Sequence, residues 1–331
     1  MKVIVPLVAV MVLALIGYVG PLASPWSPWL FGVIIPYAAL VAFIGGIIWR
    51  VGKWAGAPVP FRIPTTAGQQ NSLPWIKQAK YDNPSTTFGV IVRMALEVFL
   101  FRSLFRNTSM ELKKDRNLAY IQEVWLWMAA LAFHYSFLVI FLRHFRFFMN
   151  PVPPFVPLIQ AFDGFLELGV PTLYLTDLAL LGAVSYLFFR RIWYPQVRYI
   201  SLLNDYFPLF LILGIGISGV LMRHFFKVDL LGVKELALGL FSLHPVLPAG
   251  IGAPFYIHLF LVSCLIAYFP QSKLVHMAGV FMSPTRNLAN NNRMKRHLNP
   301  WNYDVKVHTY QEWEEEFHDL IKDCGLPLDK E

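Results

Sequence analysis

Six long blocks of apolar residues, each about as long as a lipid bilayer is thick, decide what this chain can become. They cover roughly residues 3–22, 29–49, 122–148, 169–189, 206–226 and 255–278 of 331. A helix needs about 20 apolar residues to cross the hydrocarbon of a bilayer, and in lipid its backbone polar groups must be satisfied within the segment. The blocks therefore predict an all-α integral membrane protein, a six-span helical bundle with a C-terminal tail. Charged residues make up 15% of the chain. A soluble domain carries about a quarter, so a pair of soluble domains is excluded. The first block lacks a small-residue cleavage site and is too long for an ordinary signal core, so it reads as a span. Trp26, Trp29, Trp125, Trp127 and Trp193 fall near predicted span ends, where an aromatic belt places them.

Orientation follows from Lys and Arg. With six spans both termini share a side, and that side holds 22 of the 28 basic residues. The opposite side holds Arg143, Arg146, Arg223, Lys227 and Lys234. The asymmetry predicts a multi-pass protein of the cell (inner) membrane with both termini cytoplasmic. It also accounts for a pI near 9.4, so membrane lipid is the expected surrounding and no nucleic acid is needed. The membrane domain is read as residues 1–282. It includes a cytoplasmic 2–3 segment, about 50–120, and residues 283–331 form a cytoplasmic tail. Cys264 lies inside the sixth block and Cys324 near the C-terminal end; neither suggests a disulfide framework or a thiolate metal site. No P-loop, G-x-S-x-G or Cys/His nucleophile pair is present.

The stretch FHYSFLVIFLRH, residues 133–144, puts two imidazoles into an otherwise apolar span. His134 and His144 are ten apart in the third block, and His258 and His276 are eighteen apart in the sixth. An ionisable residue inside a membrane is costly, and imidazole is a common ligand of haem iron. Spans 3 and 6 run in opposite directions. His134 can therefore face His276 near the cytoplasmic side, and His144 can face His258 near the outer side. Two crossed pairs make two bis-histidine sites stacked across the bilayer. Eighteen residues are five turns of one helix, which places His258 and His276 on one face. Ten residues rise about 15 Å and eighteen about 27 Å. On straight helices both pairs cannot be level, unless tilt or a kink at Pro270 absorbs the difference. The alternative is a set of core histidines bonded to backbone carbonyls.

Other residues have two readings each. Arg143 and Arg146 flank His144, and Lys273 precedes His276 by three; they are candidates for haem propionates or ordinary snorkelling cations. His224, Asp163, Glu167 and Asp177 are candidate proton acceptors for a quinone site near the outer pair, or else interfacial groups and helix caps. Residues 84–106 carry Gly89, Arg93, Glu97 and Arg106 as a thin polar stripe. They predict an interfacial helix on the inner leaflet, with a seventh span as the alternative. Residues 309–323 read as an amphipathic helix with a Thr309/Glu312 capping box. Trp313, Phe317, Leu320 and Ile321 share its apolar face, and Gly325 ends it. That face either docks a soluble partner or covers the protein's own loops.

The histidine spacing resembles that of the gamma subunit of respiratory nitrate reductases, a dihaem cytochrome b family. The tail stretch SPTRNLANNNRMKRHLNPWN, residues 283–302, is similar to the Dsr-type branch of that superfamily, subunit M of the DsrMKJOP complex of sulfate reducers. The resemblance spans essentially the whole chain. It implies two b haems on His134, His144, His258 and His276, with menaquinone as exchangeable substrate. It also implies a cytoplasmic iron–sulfur partner resembling DsrK, similar to the catalytic subunit of heterodisulfide reductase, and further subunits of a DsrMKJOP-type complex. The additional N-terminal span and the long 2–3 segment depart from the nitrate reductase type and put nitrate as final acceptor in doubt. The expected function is a membrane cytochrome b, the electron-transfer subunit of a menaquinol-oxidising complex linked to dissimilatory sulfate or sulfite reduction. Rival readings are a nitrate reductase gamma subunit, the cytochrome b of a membrane heterodisulfide reductase, a haem-free anchor and a proton-coupled transporter.

Overall fold

The computed structural model describes residues 1–57, 59, 68–112, 117–294 and 307–329. Helix α1 is Ile4–Val19, extended by a 3-10 turn to Leu22, and α2 runs over Ser27–Ala55. Helix α3, Thr87–Leu100, is followed by strands β1, Thr108–Leu112, and β2, Leu118–Gln122, paired antiparallel with Thr108 opposite Gln122. Then come α4, Val124–Phe148; α5, Phe155–Asp163; α6, Leu175–Trp193; α7, Leu203–His224; α8, Leu230–Phe241; α9, Ala253–Tyr268; and α10, Tyr310–Asp323.

Five of these helices are long and apolar enough to cross a membrane: α1, α2, α4, α7 and α9 with its 3-10 extension to Gln271. The fourth expected span is α6, of 19 residues, which carries Asp177, Arg190 and Arg191 near its ends. It packs between α4 and α7 like a member of the same bundle. Its charges are partnered: Asp177 meets Arg143, and Arg190 lies 2.5 Å from Glu123.

The bundle closes around two apolar cores. Val10, Leu180, Val184, Leu211, Leu261 and Leu265 join α1, α6, α7 and α9. Phe31, Val33, Leu236, Ile251 and Tyr256 join the start of α2 to α8 and α9. Pro36 explains the irregular start of α2. It has no N–H to give the preceding turn, and the helix widens to a π-turn over Leu30–Ile34. Helix α8 lies in the connection between the fifth and sixth blocks. It packs on α4, and its Leu240 carbonyl accepts from the Tyr37 hydroxyl at 2.9 Å.

Two expected helices are broken. The segment 84–106 bends at Phe101, where φ is +49, so α3 stops at Leu100 and a short turn, Arg102–Phe105, follows. Arg106 leaves the expected stripe and joins Arg102 on Asp82. The sixth block is not one helix to residue 278. Helix α9 gives way to a 3-10 turn at Phe269–Gln271, where Pro270 contributes no N–H. Ser272 is extended and caps the next turn, its Oγ accepting from Leu274 N–H at 3.0 Å. His276 then opens a separate four-residue turn, so His258 and His276 do not share a helix face.

The first part of the tail folds back on the 2–3 segment. Asn290 N–H donates to Pro84 O at 2.7 Å, its side chain meets that of Asn83, and Gln70 reaches Asn292 at 3.0 Å. Arg286 lies 3.1 Å from Glu97 on α3. Residues 295–302 of the tail motif, and His297 with them, lie outside the described residues. The capping box of α10 is present, with Glu312 N–H on Thr309 Oγ1 at 3.3 Å and Thr309 N–H on Glu312 Oε2 at 3.1 Å. Gly325, at φ +67, follows its end. Ile321 is buried, whereas Trp313, Phe317 and Leu320 are exposed.

Candidate functional site

The four histidines come together in two pairs. The rings of His134 and His276 have centroids 5.9 Å apart and cross at 81°. The rings of His144 and His258 lie 6.5 Å apart and are parallel to within 5°. The break after α9 removes the mismatch in rise. From His258 to Tyr268 is ten residues of helix, the same count as from His134 to His144. The irregular stretch 269–275 then carries His276 back against His134.

Each ring is held by its Nδ1. His134 Nδ1 lies 2.8 Å from Ala130 O, His144 Nδ1 2.7 Å from Ile140 O, and His276 Nδ1 2.8 Å from Lys273 O. His258 Nδ1 lies 2.9 Å from Ser218 Oγ, whose own hydroxyl donates to Ile215 O at 2.9 Å. A protonated Nδ1 donating to an oxygen leaves Nε2 with the free lone pair, as in metal-bound imidazole. Gly219, beside Ser218, lets α7 approach His258: a Cβ built there would be 3.5 Å from the ring.

The pair spacing fits two axial ligands of one iron. Two metal–nitrogen bonds of about 2 Å, with each ring centre about 1 Å behind its nitrogen, put the centroids roughly 6 Å apart. Among the described residues, α4 and α9 share no extensive packing face, which a flat macrocycle between them requires. No group of three or more His, Cys, Asp or Glu side chains able to hold a metal ion occurs among the described residues. Each pair offers two nitrogens, the number a haem iron with two axial protein ligands takes.

The surroundings differ at the two ends. At the His134 end, Phe101 lays its ring edge-on at 4.9 Å, and Tyr135 donates to Phe99 O at 2.9 Å. The left-handed turn at Phe101 brings the end of α3 to the imidazole. At the His144 end a buried ionic cluster forms. Arg143 meets Asp177, and its Nε is 3.2 Å from Asp163, near enough for an ion pair though not aligned for a hydrogen bond. Asp163 also accepts from Thr176 N–H at 2.8 Å and Thr176 Oγ1 at 2.6 Å. Tyr174 lies between two guanidinium groups, Arg143 at 3.9 Å and Arg223 at 4.3 Å.

The propionate and proton-acceptor candidates are therefore placed unequally. Arg143 is engaged by two carboxylates. Lys273 reaches Asp205 at 2.6 Å, and Arg146 lies over Phe147 at 5.6 Å. Asp163 and Asp177 are both bound to Arg143. Glu167 is exposed in the loop before α6 with φ +50. His224 ends α7 with a buried Nε2 that has no hydrogen-bond partner among the described residues. It follows Gly219 by five residues, about 7.5 Å along the helix. Sequence reasoning missed Ser218, Gly219 and Phe101. The small pair Ser218–Gly219 within an apolar span was a legible signal for close approach; Phe101 had none.

Residues 85–297, which include all four paired histidines, match the family described as "Nitrate reductase gamma subunit". Over 283 residues the chain is 45% identical to the "Hdr-like menaquinol oxidoreductase cytochrome b-like subunit" of Archaeoglobus fulgidus, covering 82% of this chain and 83% of that protein. It is 44% identical over 275 residues to the protein of the same description from Archaeoglobus profundus, covering 81% of each. By the matched family and by these relatives, this multi-pass membrane chain belongs to the nitrate reductase gamma subunit family.

Proposed function

We propose that the chain is the membrane cytochrome b subunit of a menaquinol oxidoreductase. It would exchange electrons between menaquinone or menaquinol and a cytoplasmic iron–sulfur subunit. One observation carries the reading: two histidine pairs at two depths of one bundle, each at axial-ligand spacing with every Nδ1 engaged. His134 and His276 would hold one haem b, His144 and His258 the other. When bound, each haem supplies a one-electron centre whose potential its axial ligands and surroundings set. The chain's own part is to fix four imidazoles, keep the spans apart and accept protons.

The positive-inside asymmetry supports six spans with both termini cytoplasmic, and with that topology the His144 pair would lie toward the outer side. Reporter fusions after residue 331 and within 227–254 are expected to read cytoplasmic and outer, respectively. An outer reading at residue 331 would overturn the topology.

Menaquinol oxidation is assigned to the outer side, with protons released there and electrons moving inward. His224 is the acceptor favoured by the structure. Asp163 and Asp177 have oxygens already engaged by Arg143, whereas His224 has a buried Nε2 with no hydrogen-bond partner among the described residues. A lost general base typically costs about 10²–10⁴-fold. His224→Ala is expected to slow reduction of the b-type spectrum by menaquinol on that scale, with both haems still reducible by dithionite. An unchanged rate would remove His224 from the role.

The exposed Trp313 and Phe317 on α10 support a dock for the iron–sulfur subunit, which on the tail's Dsr-type resemblance would be DsrK-like. Changing both to Ala is expected to release that subunit in mild detergent while both haems stay. Retention of the intact complex would make α10 a cover. The same pull-down separates sulfate or sulfite reduction by a DsrMKJOP-type complex from the alternative, the cytochrome b of a heterodisulfide reductase.

A further inference from the structure

A cleft of about 690 Å³ opens beside the His134–His276 pair. Its walls include His276, Lys273, Arg286, Glu97, and Arg50 and Trp54 from α2. The position of α2 there is set by contact. A Cβ on Gly46 would lie 2.6 Å from the Pro270 ring, and one on Gly279 would lie 3.5 Å from Trp54. Glycine at 46 therefore lets α2 press on the turn that breaks the sixth block, and at 279 there is room for the indole. Arg50 sits one turn beyond Gly46 and one turn before Trp54, over whose ring its guanidinium lies at 5.6 Å.

The cations of this cleft differ in how they are matched. Lys273 is taken by Asp205 at 2.6 Å and Arg286 by Glu97 at 3.1 Å. Arg50 has no carboxylate within 4 Å among the described residues. A half-buried guanidinium beside an indole and an imidazole suits a planar molecule that carries carboxylates at its edge.

We infer that Arg50 anchors a propionate of the haem held by His134 and His276. The inference rests on the haem reading above. Arg50 lies outside residues 85–297, the region matched by the family. The N-terminal pair of helices thus contributes to a site whose iron ligands all come from the rest of the chain.

A cation beside a haem stabilises its reduced form, which carries one less positive charge. Arg50→Gln is therefore expected to lower the potential of one haem, the one lost in His276→Ala. A tenfold change in its reduction constant corresponds to about 59 mV for one electron. The other haem should not move. Arg50→Lys keeps the charge and should return the potential most of the way. The test uses the full chain purified in detergent, with haem counted per chain and each haem titrated. If the wild-type chain holds no haem, the haem reading itself fails. If both haems are present and Arg50→Gln leaves both potentials unchanged, or moves the two equally, Arg50 is a snorkelling cation and this inference fails. Equal shifts in Arg50→Gln and Arg50→Lys would also overturn it, since packing rather than charge would then be responsible.

Discussion

His134→Ala and His276→Ala are each expected to remove the same haem, and His144→Ala and His258→Ala the other. On the two-haem reading each imidazole would be one of two nitrogens at an iron, so its loss would leave that iron with a single protein ligand. The pairs are separate in space: His134 faces His276 at 5.9 Å and His144 faces His258 at 6.5 Å. A variant at one depth should therefore spare the other. Redox titration of the four variants, with haem counted per chain, reads out which centre is missing. If His134→Ala and His258→Ala lose the same haem, the crossed pairing is wrong. A further check is Ser218→Ala, which deletes the acceptor of the His258 Nδ1 proton and leaves the ligand in place. It should perturb the His144–His258 haem and leave the other unchanged.

Removing Arg143 is expected to have the largest effect on stability. Its guanidinium lies between Asp163 and Asp177 in a cluster where Arg143 and Asp163 are 7% and 6% exposed. Taking one partner from a buried pair costs about 3–5 kcal/mol, because the remaining charges are left unmatched. Here two carboxylates are left. Arg143→Ala should sharply lower the melting temperature of the protein in detergent. The triple variant in which Asp163 and Asp177 also become Asn should recover part of the loss. Arg146→Ala, three residues away and not paired with a carboxylate among the described residues, should change little. A small effect of Arg143→Ala, within about 1 kcal/mol, would mean that the cluster is not structural. Arg143 would then return to candidacy as a propionate partner.

The crossed histidine pairs were legible because they need nothing beyond direction and depth. Antiparallel spans pair the first histidine of one with the last of the other, although straight helices would not bring both pairs level. The mismatch in rise was legible too, in the spacings of ten and eighteen, and so was Pro270 as a place to absorb it. The separate turn that follows Pro270 was not. A run such as FPQSKLVHMAG has enough apolar residues to continue a helix by periodicity. What ends it is local: Pro270 without an N–H and Ser272 capping a new turn. Phe101 escaped for a similar reason. A bulky residue at positive φ is rare, and nothing in VFLFRSLFR marks which residue will take it. The ion pairs of Arg143 were not legible. Asp163 and Asp177 are 20 and 34 residues away and meet it through the packing of α4, α5 and α6. The apolar helix α8, at 12 residues, is too short to span and so falls outside the blocks of membrane-spanning length.

The central claim, that this bundle exists to hold two irons between four imidazoles, is tested most directly on the wild-type chain. Purified in mild detergent and reduced, it should show a b-type haem spectrum with two haems per chain that titrate as two one-electron centres. A chain that is folded and monodisperse yet carries no haem, or one haem that survives loss of either pair, would contradict it.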